Sequence, residues 1–359
     1  MPQPHDIFLD QLGVALDVRL VARLHDAALV SNTDEKYLHV FVPDLHLLSA
    51  AQQQNYAYGF NGVDHNGHDL FAELTTALLA TRQVLRQANH DMTVTQLGDF
   101  VDLWRESAND YHAVPDILAS YPDIQERFLP RPTPGRDAVF PNLLLGNHDL
   151  EAREAAGFGR ACMVHYLPGA NMTLMATHGD AFDFWELAID DNVAAFFLKM
   201  FGGRVEPNAY PMPTLKELRD LDTTTPVDQT THIQGDATFD VAPQTGAPLD
   251  DWSNVLEVHD PAQRAQQHRL LPNAVKTAEQ LRTPSQRGDP AIVPNLQVMV
   301  IGHSHHARLI IDHPANLVLM DCGAWIENFH VGQGPIHPNR QIGAICGADL
   351  RIYQLDPQD

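Results

Sequence analysis

Positive charge is what this chain has least of. Its 359 residues carry 23 Lys and Arg against 46 Asp and Glu, a formal net charge of −23, and the lysines are confined to Lys36, Lys199, Lys216 and Lys276. Long nucleic acids are gripped through their phosphates by a sustained basic track, and the absence of one disfavours such a partner. An acidic surface keeps a protein soluble, and a bound multivalent cation would offset part of the charge locally. Cysteine is almost as scarce: Cys162, Cys322 and Cys346 are odd in number and lack the close pairing of a thiolate zinc site or a redox motif, which fits a reducing compartment. No apolar run reaches the ~20 residues that cross a bilayer. The opening MPQPHDIFLD has neither a basic leader nor an uninterrupted apolar segment. The expectation is a soluble, cytoplasmic protein without a transmembrane segment.

What is present is a globular chain, 44% hydrophobic, with ample material for a substantial core. Leu12, Leu16, Leu20 and Leu24 recur at helical spacing and predict an amphipathic amino-terminal helix, laid on the core or on a second subunit. Tyr37 to Val42 reads as a strand, residues 68–87 as a helix, and Thr93 to Leu97 as a second strand, a βαβ rhythm. A helix near 114–128 leads through RPTPGR to strands at Asn142 to Leu145 and Met172 to Ala176. Trp185 to Met200 predicts a strongly apolar helix, closed by Gly202 and Gly203. The Pro-, Thr-, Asp- and Gln-rich stretch that follows reads as an insertion, with one more helix within 261–281. Strands then return near Val298, Leu317, Ile342 and Leu350.

Five short pieces each follow one of the strand-like runs: PDLH at 43–46, GDFVD at 98–102, GNHD at 146–149, THGD at 177–180 and GHSH at 302–305. Any one of them is commonplace, because an Asp beside a Gly is usually a turn or a helix cap and a histidine-rich tract is often a solvated turn. The ordered set is different. Separate strands would bring Asp, His, Asn and a His-x-His pair to the same end of a sheet, and those oxygen and imidazole donors suit borderline divalent ions such as Mn, Fe or Zn. Two ions about 3.5–4 Å apart need a shared ligand, and Asp99 can bridge with its two carboxylate oxygens. On an extended segment His303 and His305 would share a face and serve different ions, while His306 would turn away into a structural role. Asp102 and Asp180 read either as partners that orient the ligands or as turn and capping residues.

These ordered motifs resemble the calcineurin-like metallophosphoesterase superfamily over about residues 37–355. The resemblance implies an α/β (α+β) fold, a four-layer sandwich of two mixed β-sheets flanked by helices. It implies one domain over 1–359, with an amino-terminal helical extension at 1–36 and an insertion or cap at 204–295. Asp44, His46, Asp99 and His305 would hold one ion, and Asp99, Asn147, His178 and His303 the other. The cofactors would be two divalent ions, Mn, Fe or Zn, with Mn favoured. His148 would stabilise the transferring phosphoryl group or protonate the leaving oxygen, Asp149 would orient it, and a hydroxide bridging the ions would attack phosphorus in line. Arg105, Arg153 and Arg308 follow motifs closely and could reach a substrate phosphate, though surface ion pairing explains them as well.

Within the superfamily, GDFVDLW, THGDAFDFW and CGAWIEN resemble the branch of the UDP-2,3-diacylglucosamine pyrophosphate hydrolases, whose members often carry Arg where this chain has His148. The activity implied is binuclear-metal hydrolysis of a phosphodiester, pyrophosphate or monoester of a small substrate. A non-enzymatic scaffold that binds a protein partner is the alternative, but a scaffold would be expected to lose ligands and every expected ligand is present. The 204–295 segment would form a cap over the site or a contact in a homo-oligomer.

Overall fold

In the computed structural model, alternation along the strands sorts the apolar side chains into three separate cores. The structure describes residues 3–25, 37–53, 69–103, 106, 111–129, 139, 141–149, 152, 160–167, 170, 172–182, 255–268, 270–284, 291–329 and 337–358. Two mixed sheets result. The first contains β1 (Leu16–His25), β2 (Tyr37–Val42), β3 (Asp91–Gln96), β4 (Asn142–Leu143), β11 (Trp325–Phe329), β12 (His337–Cys346) and β13 (Asp349–Pro357), in the order β1-β13-β12-β2-β3-β4 with β11 beside β12. The second contains β5 (Cys162–Leu167), β6 (Met172–Thr177), β7 (Val255–Val258), β8 (Leu296–Ile301), β9 (Arg308–Asp312) and β10 (Leu317–Asp321), in the order β5-β6-β8-β10-β9-β7.

Leu38, Val40 and Val42 face the helices α1 (Pro4–Leu12) and α2 (Leu70–Gln87), while Phe41 of the same strand faces the other sheet. In β8, Val298 and Val300 face the first sheet, and Met299 and Ile301 face α3 (Leu271–Arg282). The layers are therefore helix, sheet, sheet, helix. A period of two with both faces buried explains why β2 and β8 read as continuous apolar runs. Burying each large apolar side chain in these cores contributes roughly 1.5–3 kcal/mol.

The βαβ rhythm is present: β2 and β3 pair in parallel, joined through α2. That helix starts where Asp69 accepts a hydrogen bond from the Ala72 amide at 2.9 Å. It stops where Asn89 takes a left-handed φ of 59° and the His90 amide closes on the Leu85 carbonyl.

Three expectations are corrected. The leucines at 12, 16, 20 and 24 do not share a helix: α1 ends at Leu12, capped by Gly13, and Leu16–His25 is a strand paired antiparallel with β13. A spacing of four is a multiple of two, so it fits a strand as well as a helix. Here the long pairing with β13 and the Arg19–Asp356 and Arg23–Asp349 bridges decide for the strand. Residues 255–282, placed by the sequence within the insertion, supply β7 and α3, whose Leu271, Val275 and Leu281 pack on the second sheet. The apolar run 185–200 and the segment 204–254 lie outside the described residues. The helix expected at 114–128 is broken into a helix at Val114–Ala119 and a single wide turn at Ile124–Phe128. Among the described residues no helix is long and apolar enough to cross a membrane.

Two buried histidines tie this fold to pH. His5 of α1 lies 3.0 Å from the Asp349 carbonyl, and burial, reinforced by Arg351, lowers its pKa to about 4. His39 of β2 lies against His165, ring centroids 4.6 Å apart and planes tilted by 50°, and is lowered to about 3, by burial first and then by His165. An unfolded imidazole takes its proton near 6.5, so below that pH the unfolded chain binds more protons than the folded one. The stability these two histidines contribute is therefore fully present above pH 6.5 and declines as pH falls towards 4. His5→Gln keeps a donor for the carbonyl and cannot titrate. Its Tm, followed by circular dichroism, should fall less steeply than the wild type's over that window, and equal slopes would remove His5 from the acid response.

Candidate metal centre

All five polar pieces lie just past the carboxyl ends of strands, but of two sheets rather than one. Parallel neighbours β2, β3 and β4 of the first sheet lead into the segments bearing Asp44 and His46, Asp99, and Asn147 to Asp149. Parallel neighbours β6 and β8 of the second lead into His178 and into His303 with His305. The segments interlock through main-chain bonds. The Asp99 carbonyl accepts from the amides of Leu45 and His46, the His178 carbonyl from Gly302, and the Asp44 carbonyl from Trp325.

Two groups of donors form. In one, His305 Nε2 is 3.1 Å from Asp44 Oδ2 and 3.3 Å from His46 Nε2. In the other, His178 Nε2 is 3.2 Å from Asp99 Oδ2, 3.2 Å from His303 Nδ1 and 3.0 Å from Asn147 Oδ1. Asp99 stands between them. Its Oδ2 is also 3.7 Å from His46 Nε2, while its Oδ1 accepts the His148 amide at 2.8 Å. It thus reaches both groups through one oxygen rather than two. All seven residues expected as ligands are brought together.

The donor set fits divalent cations. Bonds of about 2.0–2.2 Å from zinc-like ions to nitrogen and oxygen place neighbouring donors of a tetrahedral ion about 3.4 Å apart and those of an octahedral ion about 3.0 Å apart. The separations of 3.0–3.3 Å within the two groups fall in that range. Electrostatics agree. Burial would raise Asp44 and Asp99, but His178 and His305 beside Asp44, and His178 and His148 beside Asp99, hold both carboxyls below the ordinary carboxylate range. Burial would likewise lower His178, yet Asp99 and Asp44, helped by half-buried Asp180, hold it well above the usual imidazole value. Positive charge is what that position favours, as a proton or as a metal. His46 is lowered by its burial.

Backbone strain is concentrated here. His46, Asp99, His303 and His305 all have left-handed φ, between 48° and 66°, a region that side-chain-bearing residues rarely occupy. His303 and His305 consequently do not lie on an extended segment. They go to different groups because each turns the chain. The motif glycines have a packing reason: a Cβ at Gly146 would collide with Asp99 Oδ1, and one at Gly302 with Asp44 Oδ1.

The supporting residues differ in part from expectation. Asp149 does not bond the His148 ring. It accepts the Gly146 and Phe100 amides at 2.6 and 2.8 Å, and burial, then Asp99, pushes its pKa up to about 7. Asp102 is what holds His148, with Oδ1 3.0 Å from Nδ1, and its other oxygen lies 3.4 Å from His46 Nδ1. His306 is buried and its amide donates to Ser304 Oγ. Arg308 opens β9 and donates to the Gln267 carbonyl at 3.4 Å, whereas Arg105 and Arg153 lie outside the described residues.

Asp321, His268 and Ser304 were not anticipated. Buried Asp321, at the end of β10, accepts from Ser304 Oγ, from the Gly323 amide at 3.1 Å and from His268 Nε2 at 3.1 Å, and so grips the residue between His303 and His305. The signal for Asp321 is an acidic residue closing the apolar run LVLM, and His268 offers none.

The family model for calcineurin-like phosphoesterases (Metallophos) matches residues 40–307. No curated protein matches the chain.

Partners that orient ligands typically change metal affinity ~10–100-fold when replaced. Asp321→Asn loses one of its acceptor positions. It should weaken metal binding by that factor in equilibrium dialysis, with the circular dichroism spectrum unchanged; wild-type affinity would assign Asp321 to the fold alone.

Proposed function

The chain belongs to the calcineurin-like phosphoesterase family, and from that premise we propose that it is a phosphohydrolase that uses two divalent ions on a small phosphodiester, pyrophosphate or phosphomonoester. The observation that carries this reading is the place of Asp99 Oδ2, 3.2 Å from His178 Nε2 and 3.7 Å from His46 Nε2, between two histidine-and-carboxylate groups. Asp44, His46, Asp99 and His305 would hold one ion, and Asp99, Asn147, His178 and His303 the other. Ions there supply a Lewis acid for phosphoryl oxygens and a source of hydroxide near neutral pH. With no thiolate among the donors, Mn, Fe and Zn are the candidates, and Mn is the first to supply.

His148 is the residue we assign to the reacting group. Asp102 fixes its ring through Nδ1, so Nε2 is the nitrogen that would face a phosphoryl or leaving-group oxygen. A proton carried there would balance charge gathering on the phosphoryl group or pass to the departing alkoxide. Asp149 holds the GNHD and GDFVD segments together through their amides, which keeps Asn147 and His148 in register with Asp99. Holding these groups before substrate arrives means that no reorganisation is needed during reaction.

The net charge of −23 favours a compact phosphate ester over a long polyanion. The resemblance of GDFVDLW and CGAWIEN to the diacylglucosamine pyrophosphate hydrolases makes a nucleoside diphosphate sugar the first pyrophosphate to assay.

With Mn added, the wild type should hydrolyse bis(p-nitrophenyl) phosphate or p-nitrophenyl phosphate, and Asp99→Ala should abolish turnover. His148→Ala should lower kcat by about 10²–10⁴, as expected for loss of a general acid, with metal content unchanged. A wild type inert with Mn, Fe and Zn, or an Asp99→Ala variant of full activity, would overturn the proposal.

A further inference from the structure

A further group of possible metal donors, exposed rather than buried, lies at the other end of the second sheet. β7 and β9 pair in parallel up to Val258 and Asp312, and the His313 amide donates to the Val258 carbonyl at 3.0 Å. The next residues, His259 and His313, therefore stand side by side at the end of the pair. Glu257, two residues before His259, points to the same side of the edge strand. The side chains complete what the register begins. Glu257 Oε2 is 3.2 Å from His259 Nε2 and 3.2 Å from His313 Nε2, and the two imidazoles stack with centroids 4.4 Å apart and planes within 5°.

We propose that Glu257, His259 and His313 form a separate surface site for a borderline divalent cation of the Zn or Ni type. Two nitrogens meet one carboxylate oxygen at the spacing seen between donors in the buried groups, and all three ligand atoms lie within 4.8 Å of one another. Imidazole donors select this class of ion over Mg and Ca, which prefer oxygen. The side chains are 69%, 54% and 47% exposed for His259, Glu257 and His313, so the ion would complete its coordination with water. The site is not an extension of the catalytic groups. β9 begins at Arg308, three residues past His305, and its five residues carry the chain about 16 Å to the far end of the sheet. Bound there, an ion would fasten β7, the outermost strand of the second sheet, to β9 beyond the last main-chain bond of the pair.

The test counts ions on the full-length chain. After equilibrium dialysis against micromolar free Zn, elemental analysis should find one equivalent fewer in His259→Ala/His313→Ala than in the wild type, while Mn-supported hydrolysis is unchanged. Excess Mg should leave that equivalent in place and Ni should displace it. An anomalous difference map at the zinc edge should show a peak between the three side chains. Equal stoichiometry in the two proteins, or no peak there, would overturn the site and leave the trio as hydrogen-bonded surface residues. Because the readout is a difference of one ion, it stands whether the buried groups take two ions, one or none.

Discussion

Two carboxylates, Asp44 and Asp99, sit fully buried at the junction of two sheets, and the fold around them is arranged so that this is tolerable. An unpaired buried carboxylate costs several kcal/mol and usually protonates instead. Here histidines from both sheets surround the pair and hold both carboxyls below their ordinary range. The same crowding of acceptors and lone pairs is what makes the place suitable for cations. Structure and chemistry share one constraint: negative charge must be matched at that point by positive charge.

Meeting the constraint requires unusual backbone. Four of the candidate ligand residues occupy left-handed φ, each at a cost on the order of 1–3 kcal/mol. Such strain persists only where neighbours over-determine it. They do so through the Asp99 carbonyl that binds the Leu45 and His46 amides, through Asp149 that ties Gly146 to Phe100, and through Asp321 that fixes Ser304 between His303 and His305. Glycines 146 and 302 let the carboxylates approach the chain where any side chain would block them. Rigid apolar layers on either side of each sheet give these loops a fixed base.

The strands at 37–42, 93–97, 142–145 and 172–176 and those near Val298, Leu317, Ile342 and Leu350 were legible because each is an apolar run that ends at polar residues, whereas β5, β7, β9 and β11 were not anticipated. The motif residues were legible because their order along the chain mirrors the order in which strands deliver them. Partnerships were not. That Asp102 rather than Asp149 holds His148 depends on how two loops fold over one another, and both aspartates close a motif. The leucines of residues 12–24 misled because a four-residue repeat satisfies strand and helix alike, and only the pairing with a strand more than 300 residues away settles it. His268 could not be found at all, since its partner Asp321 lies 53 residues away in sequence.

Each donor group takes members from both sheets: Asp44 and His46 meet His305, and Asp99 meets His178 and His303. A cation held by either group would therefore rivet the two halves of the sandwich together. Between those halves lies a mainly apolar seam of residues such as Phe41, Val298, Val300 and Met320, in which His39 of the first sheet also meets His165 of the second. Apolar contacts resist separation but have little directional preference, and the lateral alignment of one slab on the other is set by directional bonds at the rim: the His303 amide donates to Asp44 Oδ2 at 2.9 Å, and the Leu145 amide to the Arg160 carbonyl at 2.8 Å. A bound ion would add to those bonds, and a change in the seam that lets the slabs slide would register as a mismatch in its coordination.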